Sequence, residues 1–249
     1  MATDPGIELI QPDWPAPPVV GACMSTRLGG VSRGSFASLN LGALTEDNAA
    51  AVQSNRERLR RAAALPDEPR WLRQVHGRRI VALDEMPVGD ASPEADGGWS
   101  AGEAVCAVLA ADCMPVLLAR RDGGAVAAVH AGWRGLAAGV LEAALAAIPG
   151  APEDWMAWIG PRIGPAHFVV REDVLAAFPD AGFAFRAAGA GQWHADLGAI
   201  AARRLDRRGV AVHDSGLCTV TDARRFFSHR RDGLCGRMAA LVWRRRGGG

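Results

Sequence analysis

Residues 105–133 of the chain read VCAVLAADCMPVLLARRDGGAVAAVHAGW. Three apolar runs, at residues 105–109, 116–118 and 125–129, are separated here by short polar segments that contain Asp, Gly or Pro. Apolar runs of this length with such boundaries are typical of short β-strands. The stretch therefore predicts three consecutive strands.

Apolar runs on both sides continue the pattern. They predict further strands at residues 19–24, 80–83, 156–159, 167–170 and 237–243. Helical spacing predicts helices over residues 45–65, with Thr45 as N-cap, and over 132–148, 172–178 and 194–208. Residues 84–103 are rich in Gly, Pro, Asp and Ser and predict a long surface loop. Residues 244–249 predict a frayed tail.

The composition of the 249-residue chain indicates a folded globular protein. Hydrophobic residues make up 49% and charged residues 22%, which is far from the composition of disordered chains. The 28 basic and 27 acidic residues leave a net charge of +1, so nucleic acid is not an expected partner. Every basic residue is Arg, and Lys and Tyr are absent, which excludes lysine Schiff-base and tyrosyl chemistry.

The cysteine count and the N-terminus indicate a cytoplasmic protein. Five cysteines are an odd number in a chain long enough to fold without disulfides, so we expect reduced thiols. Residues 1–5 show neither the basic nor the apolar part of a signal peptide. No run of about 18 uncharged apolar residues occurs, so we expect no membrane span.

Three possible metal ligands occupy similar settings. His76, Cys113 and His130 each lie beside a Gly or Pro near the end of an apolar run. Ends of strands often converge on one rim of a sheet, and two imidazoles with one thiolate suit zinc and leave a position open for catalysis. The spacing matches no short zinc signature, so each histidine also fits a structural role and Cys113 a buried core position.

Two segments resemble anion-binding sites. Arg27 precedes a Gly pair that lets backbone amides approach a ligand, and a planar guanidinium suits phosphate or carboxylate. Residues 132–135, which include Arg134, open the helix that follows His130, where free amides favour an anion. Both segments also fit ordinary turns whose Arg side chains face water.

Six motifs occur in a fixed order: STRLGG at residues 25–30, SLNLG at 38–42, QVHG at 74–77, ADCMP at 111–115, HAGWRG at 130–135 and IGP at 159–161. With this order and spacing, the chain resembles the YfiH-like family, also called laccase-domain or multicopper polyphenol oxidase proteins, over nearly its whole length. The resemblance implies one compact α+β domain, residues 1–249, of layered mixed sheets and helices. It also implies a zinc site at His76, Cys113 and His130, with copper as a second possible metal.

The resemblance further implies purine nucleoside phosphorolysis, with adenosine deamination as a second reaction. Nucleoside and phosphate are then the expected partners. The candidate catalytic residues are Asp112, Cys113, Arg27 and Asn40, and the candidate substrate or phosphate ligands are Arg27, Asn40 and Arg134. Asn40 has the amide groups to bind a purine edge or a ribose hydroxyl. Asp112 is a candidate general acid or base, or a residue that orients a ligating histidine.

Three positions depart from the family pattern. Ala111 stands where Thr usually precedes Asp-Cys, His229 where Tyr is usual, and Cys235 where Thr usually precedes Gly-Arg. The first of these lies beside Cys113. We therefore expect an effect on catalytic rate or substrate choice and less effect on metal binding.

The sequence is also compatible with three alternative functions. The first is a cysteine or zinc hydrolase that edits peptidoglycan precursors, with Cys113 as nucleophile. The second is a copper polyphenol oxidase, although the six histidines include no His-x-His pair. The third is a non-catalytic protein with a zinc staple, for which His229 or Cys235 would be the fourth ligand. The sequence indicates no oligomeric state.

Overall fold

The computed structural model of the chain describes residues 6–86 and 92–245. Its strands are β1 (Leu9–Ile10), β2 (Val20–Ser25), β3 (Pro69–Arg70), β4 (Ile80–Ala82), β5 (Gly97–Ser100), β6 (Val105–Ala110), β7 (Met114–Arg120), β8 (Val126–Ala131), β9 (Trp155–Ile159), β10 (Val169–Val170), β11 (Phe185–Gly189), β12 (Gln192–Ala195), β13 (Ala211–Asp214) and β14 (Met238–Arg244). Its α-helices are α1 (Ala49–Ala62), α2 (Trp133–Ala137), α3 (Val140–Ala147), α4 (Glu172–Ala176), α5 (Leu197–Asp206) and α6 (His229–Asp232).

A five-stranded sheet has the spatial order β1-β2-β14-β6-β3. Strand β14 lies in the middle and is antiparallel to both neighbours, with Ala240 opposite Met24 of β2 and Val108 of β6. The strands predicted at residues 19–24, 105–109 and 237–243 are confirmed in this sheet.

A six-stranded sheet has the order β13-β9-β7-β8-β5-β4. It confirms the strands predicted at residues 80–83, 116–118, 125–129 and 156–159. The β7–β8 hairpin is antiparallel and places Pro115 opposite His130. This register brings the beginning of β7 and the end of β8 to the same rim of the sheet.

The two large sheets and the helices form four layers. Leu117 of the six-stranded sheet and Val108 of the five-stranded sheet belong to one buried cluster between the sheets. Val116 points to the opposite face, because side chains alternate along a strand, and packs with α3 and α5. Leu59 of α1 covers the outer face of the five-stranded sheet. Burial on both faces explains the unbroken apolar runs, and the expected compact α+β domain is confirmed.

A third, small sheet has the order β10-β12-β11. The strand predicted at residues 167–170 is shorter in the structure, where it consists of β10, Val169–Val170. It also corrects the helix predicted over residues 194–208, because His194 pairs with Val169 in this sheet. The helix α5 begins only after Asp196, whose carboxylate caps it by accepting a hydrogen bond from the Ala199 amide at 2.9 Å.

Three predicted helices also have different bounds, and the simplest case is α4, which ends at Ala176 and not at residue 178. The N-cap of α1 is Asn48, not Thr45, because the Asn48 side chain accepts from the Ala51 amide while the Thr45 hydroxyl donates to the Gly42 carbonyl. The helix predicted over residues 132–148 is two helices, α2 and α3, because Gly139 adopts a left-handed conformation with φ of 85°. None of the helices in the described ranges is long and apolar enough to cross a membrane.

The loop predicted over residues 84–103 contains an internal strand, β5, between β4 and β8. Its two glycines have no room for side chains, since a Cβ would lie 2.7 Å from Ile80 at Gly97 and 2.8 Å from Leu83 at Gly98. The glycines that suggested a loop are therefore required by close packing. Residues 87–91 of the predicted loop lie outside the described residues.

The first two residues of the tail predicted over residues 244–249 are part of the folded structure. Arg244 is the last residue of β14, and its guanidinium donates a hydrogen bond to the Gly123 carbonyl at 3.0 Å. The Arg245 amide donates to the Val19 carbonyl at 2.7 Å. Residues 246–249 lie outside the described residues.

Candidate metal centre

The loop between β3 and β4 carries His76, whose side chain is exposed. Its φ of 58° lies in the left-handed region, which costs a non-glycine residue on the order of 1 kcal/mol or more. The His76 amide donates to Oδ1 of Asp96 at 2.9 Å, and the Gly77 amide donates to Oδ2 at 2.7 Å. The Asp96 carboxylate thus holds the loop in its strained conformation.

The β7–β8 hairpin carries the other two candidate ligands. Cys113 lies directly before β7 and is half-buried, and His130 lies near the end of β8 with 3% of its surface exposed. The Nδ1 atom of His130 is 2.9 Å from Oδ1 of Asp96, so Nε2 is the nitrogen left for a ligand.

Ligand atoms of His76, Cys113 and His130 all lie within 4.8 Å of one another. The Sγ atom of Cys113 is 3.7 Å from Nε2 of His76, and the two imidazole rings meet edge to face. A tetrahedral zinc ion separates neighbouring N and S ligands by roughly 3.3–3.7 Å. The three side chains therefore fit a metal ion after a small contraction around it, and the cluster could bind one.

Electrostatics favour an ion pair between Cys113 and His130 in the metal-free cluster. Burial opposes ionisation of the Cys113 thiol, but the two neighbouring histidines hold its pKa below its usual range. Burial also opposes protonation of His130, but the charges of Cys113 and Asp96 raise its pKa, so a metal that binds Nε2 must displace a proton from it. Because the thiolate is the form that binds metals, Cys113 is close to its ligand state.

Gly132 lies directly against the cluster. A Cβ at this position would be 2.9 Å from Cδ2 of His76 and 3.1 Å from Sγ of Cys113. Real Cβ atoms rarely make such short contacts. The HAGWRG motif therefore contributes a candidate ligand, His130, and also a glycine two residues later whose missing side chain leaves room for the cluster.

Asp96 is a site residue that the sequence analysis missed. It orients His130, a role that had been one of the two predictions for Asp112. Asp112 instead accepts hydrogen bonds from the Thr219 hydroxyl and the Arg230 amide, both at 2.6 Å. No hydrogen bond between Asp112 and a histidine occurs among the described residues, and both predicted roles of Asp112 stay predictions.

Three contacts within the protein hold the Arg27 guanidinium in place. Its Nε donates to the Ala37 carbonyl at 2.9 Å, its Nη1 donates to the Ala223 carbonyl at 3.2 Å, and the guanidinium stacks 4.5 Å above the Phe227 ring. Within the described ranges, Nη2 has no hydrogen-bond partner. The segment that begins with Phe227 also contains Arg230, whose amide donates to Asp112. It therefore connects Arg27 with the residues directly before Cys113.

Asn40 is completely buried, and its amide is fully engaged. Its Nδ2 donates to Thr45 and Asp47, while its Oδ1 accepts from the amides of Gly42 and Arg237. In this position the side chain braces a loop. Its predicted contact with a purine or ribose stays a prediction, and it would require the amide to exchange a protein partner for substrate.

Arg134 is exposed, and its guanidinium stacks 4.5 Å above the Trp133 ring. The helix that it was predicted to begin has only five residues. The exposed guanidinium is therefore the feature of this segment that remains available to an anion.

Neither candidate for a fourth ligand joins the cluster. The Nδ1 of His229 is 2.8 Å from the Gly233 carbonyl, and Cys235 is buried beside Arg237. Among the described residues the metal-binding group consists of two histidines and one cysteine. Two surface cavities, of about 560 and 360 Å³, lie elsewhere and include none of these three ligands.

Comparison with known proteins extends this picture to the whole chain. The chain is 46% identical to purine nucleoside phosphorylase PA4543 of Pseudomonas aeruginosa, covering 94% of this chain and 97% of the relative. It is also 46% identical to purine nucleoside phosphorylase YfiH of Escherichia coli K12, covering 95% and 98%.

Solved structures show the same fold. Protein NMB0706 of Neisseria meningitidis, assigned to the family DUF152, superposes with a TM-score of 0.91 at 45% identity, covering 95% of this chain and 99% of the other. YlmD of Geobacillus stearothermophilus superposes with a TM-score of 0.89 at 33% identity, covering 96% of both chains. A family profile described as multi-copper polyphenol oxidoreductase laccase matches residues 21–245. The chain therefore belongs to this laccase-domain family, which includes the YfiH proteins.

Proposed function

We propose that the protein is a zinc-dependent purine nucleoside phosphorylase with adenosine deamination as a second reaction. It would convert adenosine, inosine and related nucleosides to free base and ribose 1-phosphate. The observation that carries the proposal is the three-ligand cluster of His76, Cys113 and His130, in a chain 46% identical to proteins named for phosphorolysis. Three ligands leave one coordination position open, which is typical of catalytic zinc.

The donor set supports zinc as the metal. A bound zinc ion would act as a Lewis acid toward a substrate oxygen or a water molecule. Copper outranks zinc in raw affinity for such ligands, so the metal that co-purifies would not by itself identify the physiological one. The six histidines include no His-x-His pair, and the described residues contain a single cluster of this kind, which does not favour a multicopper oxidase.

The chain's own residues would bind phosphate and manage protons. The free Nη2 of Arg27 and the exposed guanidinium of Arg134 are available to an anion. Asp112 lies beside the ligand Cys113 and has a carboxylate that could accept or return a proton, if it releases Thr219 or Arg230. Deamination would need water in place of phosphate, and Asp112 would move its protons.

We expect Arg27→Lys to weaken phosphate binding. Lysine keeps the charge but loses the planar fork, so it cannot keep both carbonyl contacts and also direct a third nitrogen to phosphate. Loss of one charge-assisted hydrogen bond of about 1.5–3 kcal/mol predicts a roughly 10–100-fold higher KM for phosphate. Arg33→Lys, at an exposed arginine nearby in sequence, is the control. An unchanged phosphate KM in Arg27→Lys would count against this role.

The central prediction is that the zinc-loaded protein releases free purine from adenosine or inosine only when phosphate is present. Chromatography of the products separates the candidate activities. Phosphorolysis yields base and ribose 1-phosphate, whereas deamination converts adenosine to inosine without phosphate.

A cysteine hydrolase is the second candidate, because Cys113 is half-buried and paired with His130 in a way that favours its thiolate. Such an enzyme would leave nucleosides intact and cleave a peptidoglycan precursor. Cleavage of that precursor with no turnover of any purine nucleoside would replace the phosphorylase proposal with this one. A purely structural zinc is less consistent with the site, because no fourth ligand joins the cluster in the described part of the chain.

A further inference from the structure

We propose that Asp96 is a positioning residue that holds the two histidine ligands as one unit and thereby sets the metal affinity of the site. Asp96 lies outside the ligand set. The inference rests on the metal site of the proposed function, but it is independent of the nucleoside chemistry.

The contacts of the Asp96 carboxylate carry this proposal. Its Oδ1 lies 2.9 Å from both the His76 amide nitrogen and Nδ1 of His130. Its Oδ2 accepts from the Gly77 amide at 2.7 Å and from the Val75 amide at 3.3 Å. The residue is fully buried. All four hydrogen-bonding partners therefore belong to the two segments that carry the histidine ligands.

The main chain fixes the carboxylate in this place. The His130 amide donates to the Asp96 carbonyl at 2.7 Å, and the next residue, Gly97, pairs with Val129 across β5 and β8. On its other side, the Asp96 amide donates to the Arg79 carbonyl at 2.9 Å. Main-chain hydrogen bonds alone therefore hold Asp96 between β8 and the loop that carries His76.

Loss of the carboxylate would act on both ligands. A carboxylate on Nδ1 of His130 fixes the tautomer in which Nε2 is free for the metal, and it makes that nitrogen a stronger donor. The same carboxylate compensates the left-handed backbone of His76 by binding three successive amides. Residues behind metal ligands contribute about 10–100-fold to metal affinity.

The test is the zinc affinity of Asp96→Asn, measured in the full chain by competition with a chromophoric chelator. We expect the variant to bind zinc about 10–100-fold more weakly than the unmodified protein. With Co²⁺ as a spectroscopic probe, its visible ligand-field spectrum should also change.

Asp84→Asn is the matched control, because Asp84 lies at the other end of β5. Its carboxylate accepts from the Ser100 hydroxyl at 2.5 Å and from the amides of Ala101 and Gly102 at 2.9 and 3.0 Å. The control therefore loses a similar set of hydrogen bonds at a carboxylate that touches no metal ligand. We expect it to lower thermal stability and to leave zinc affinity and the Co²⁺ spectrum unchanged.

Equal zinc affinity in Asp96→Asn and the unmodified protein would overturn the proposal, as would an equal loss in Asp84→Asn. If Asp96→Asn does not fold, long-range ¹H–¹⁵N spectra of the unmodified zinc-loaded protein decide the question. A proton on Nδ1 of His130 with the metal on Nε2 supports the proposal, and the reverse arrangement refutes it. Each readout is independent of whether nucleosides are cleaved, so failure of the proposed activity would be seen separately.

Discussion

Cys113→Ala is expected to reduce zinc from about one ion per chain to a trace, while the fold is retained. Cys113 supplies the only sulfur of the cluster, and the two remaining imidazoles make a much weaker site. The loss should exceed the roughly 10–100-fold that removal of a residue behind the ligands costs. Elemental analysis of the purified variant, with circular dichroism to establish its fold, measures the effect.

Cys218→Ala is the matched control for this experiment. Cys218 is also half-buried, but its sulfur accepts a hydrogen bond from the Gly164 amide at 3.2 Å and lies outside the cluster. It should retain the full zinc content and, with zinc, the purine-releasing activity. Undiminished zinc in a folded Cys113→Ala variant would remove the site as proposed.

Gly198→Ala is expected to lower the free energy of unfolding by about 3 kcal/mol. Alanine favours a helix over glycine by about 1 kcal/mol, but the new Cβ would lie 1.8 Å from Nη2 of Arg162. That guanidinium is mostly buried and holds Asp214 through two bonds of 2.8 and 2.7 Å. Overpacking costs about 1–3 kcal/mol, and displacing a buried ion pair costs up to about 3–5 kcal/mol, less here because Asp214 is partly exposed.

The measurement is the melting temperature, which should fall by roughly 10 °C for a chain of this size. Gly182→Ala is the control, since no atom lies within 4 Å of its Cβ position and its φ is not positive. Its melting temperature should stay near that of the unmodified protein. A Gly198→Ala variant as stable as this control would show that Arg162 relocates without loss.

The clustering of His76, Cys113 and His130 was predictable because a hairpin determines most of it. Cys113 and His130 flank two apolar runs joined by a Gly-rich turn, and antiparallel pairing of such runs brings their outer ends together. His76 comes from a loop whose path depends on distant contacts. Its place in the cluster was predicted from a similar local setting and from the family resemblance.

Asp96 was missed because its environment is created by tertiary packing. It precedes a Gly pair in a segment whose composition predicts a loop, and the space that accepts β5 is formed by Ile80 and Leu83. The partners of Asp112, Thr219 and Arg230, are likewise distant in sequence, and so is Arg237, one of the four partners of Asn40. The residue types indicated that these side chains would form hydrogen bonds, but they did not indicate which groups would be the partners.

During synthesis, the facing edges of β2 and β6 have no partner in the five-stranded sheet until β14 has left the ribosome. The chain between Ala110 and Met238 takes on the order of ten seconds to synthesise. For that interval the nascent chain exposes two apolar strand edges, which are templates for pairing with another chain. The central position of β14 therefore leaves the five-stranded sheet incomplete until residues 238–244 have been made, long after His76, Cys113 and His130.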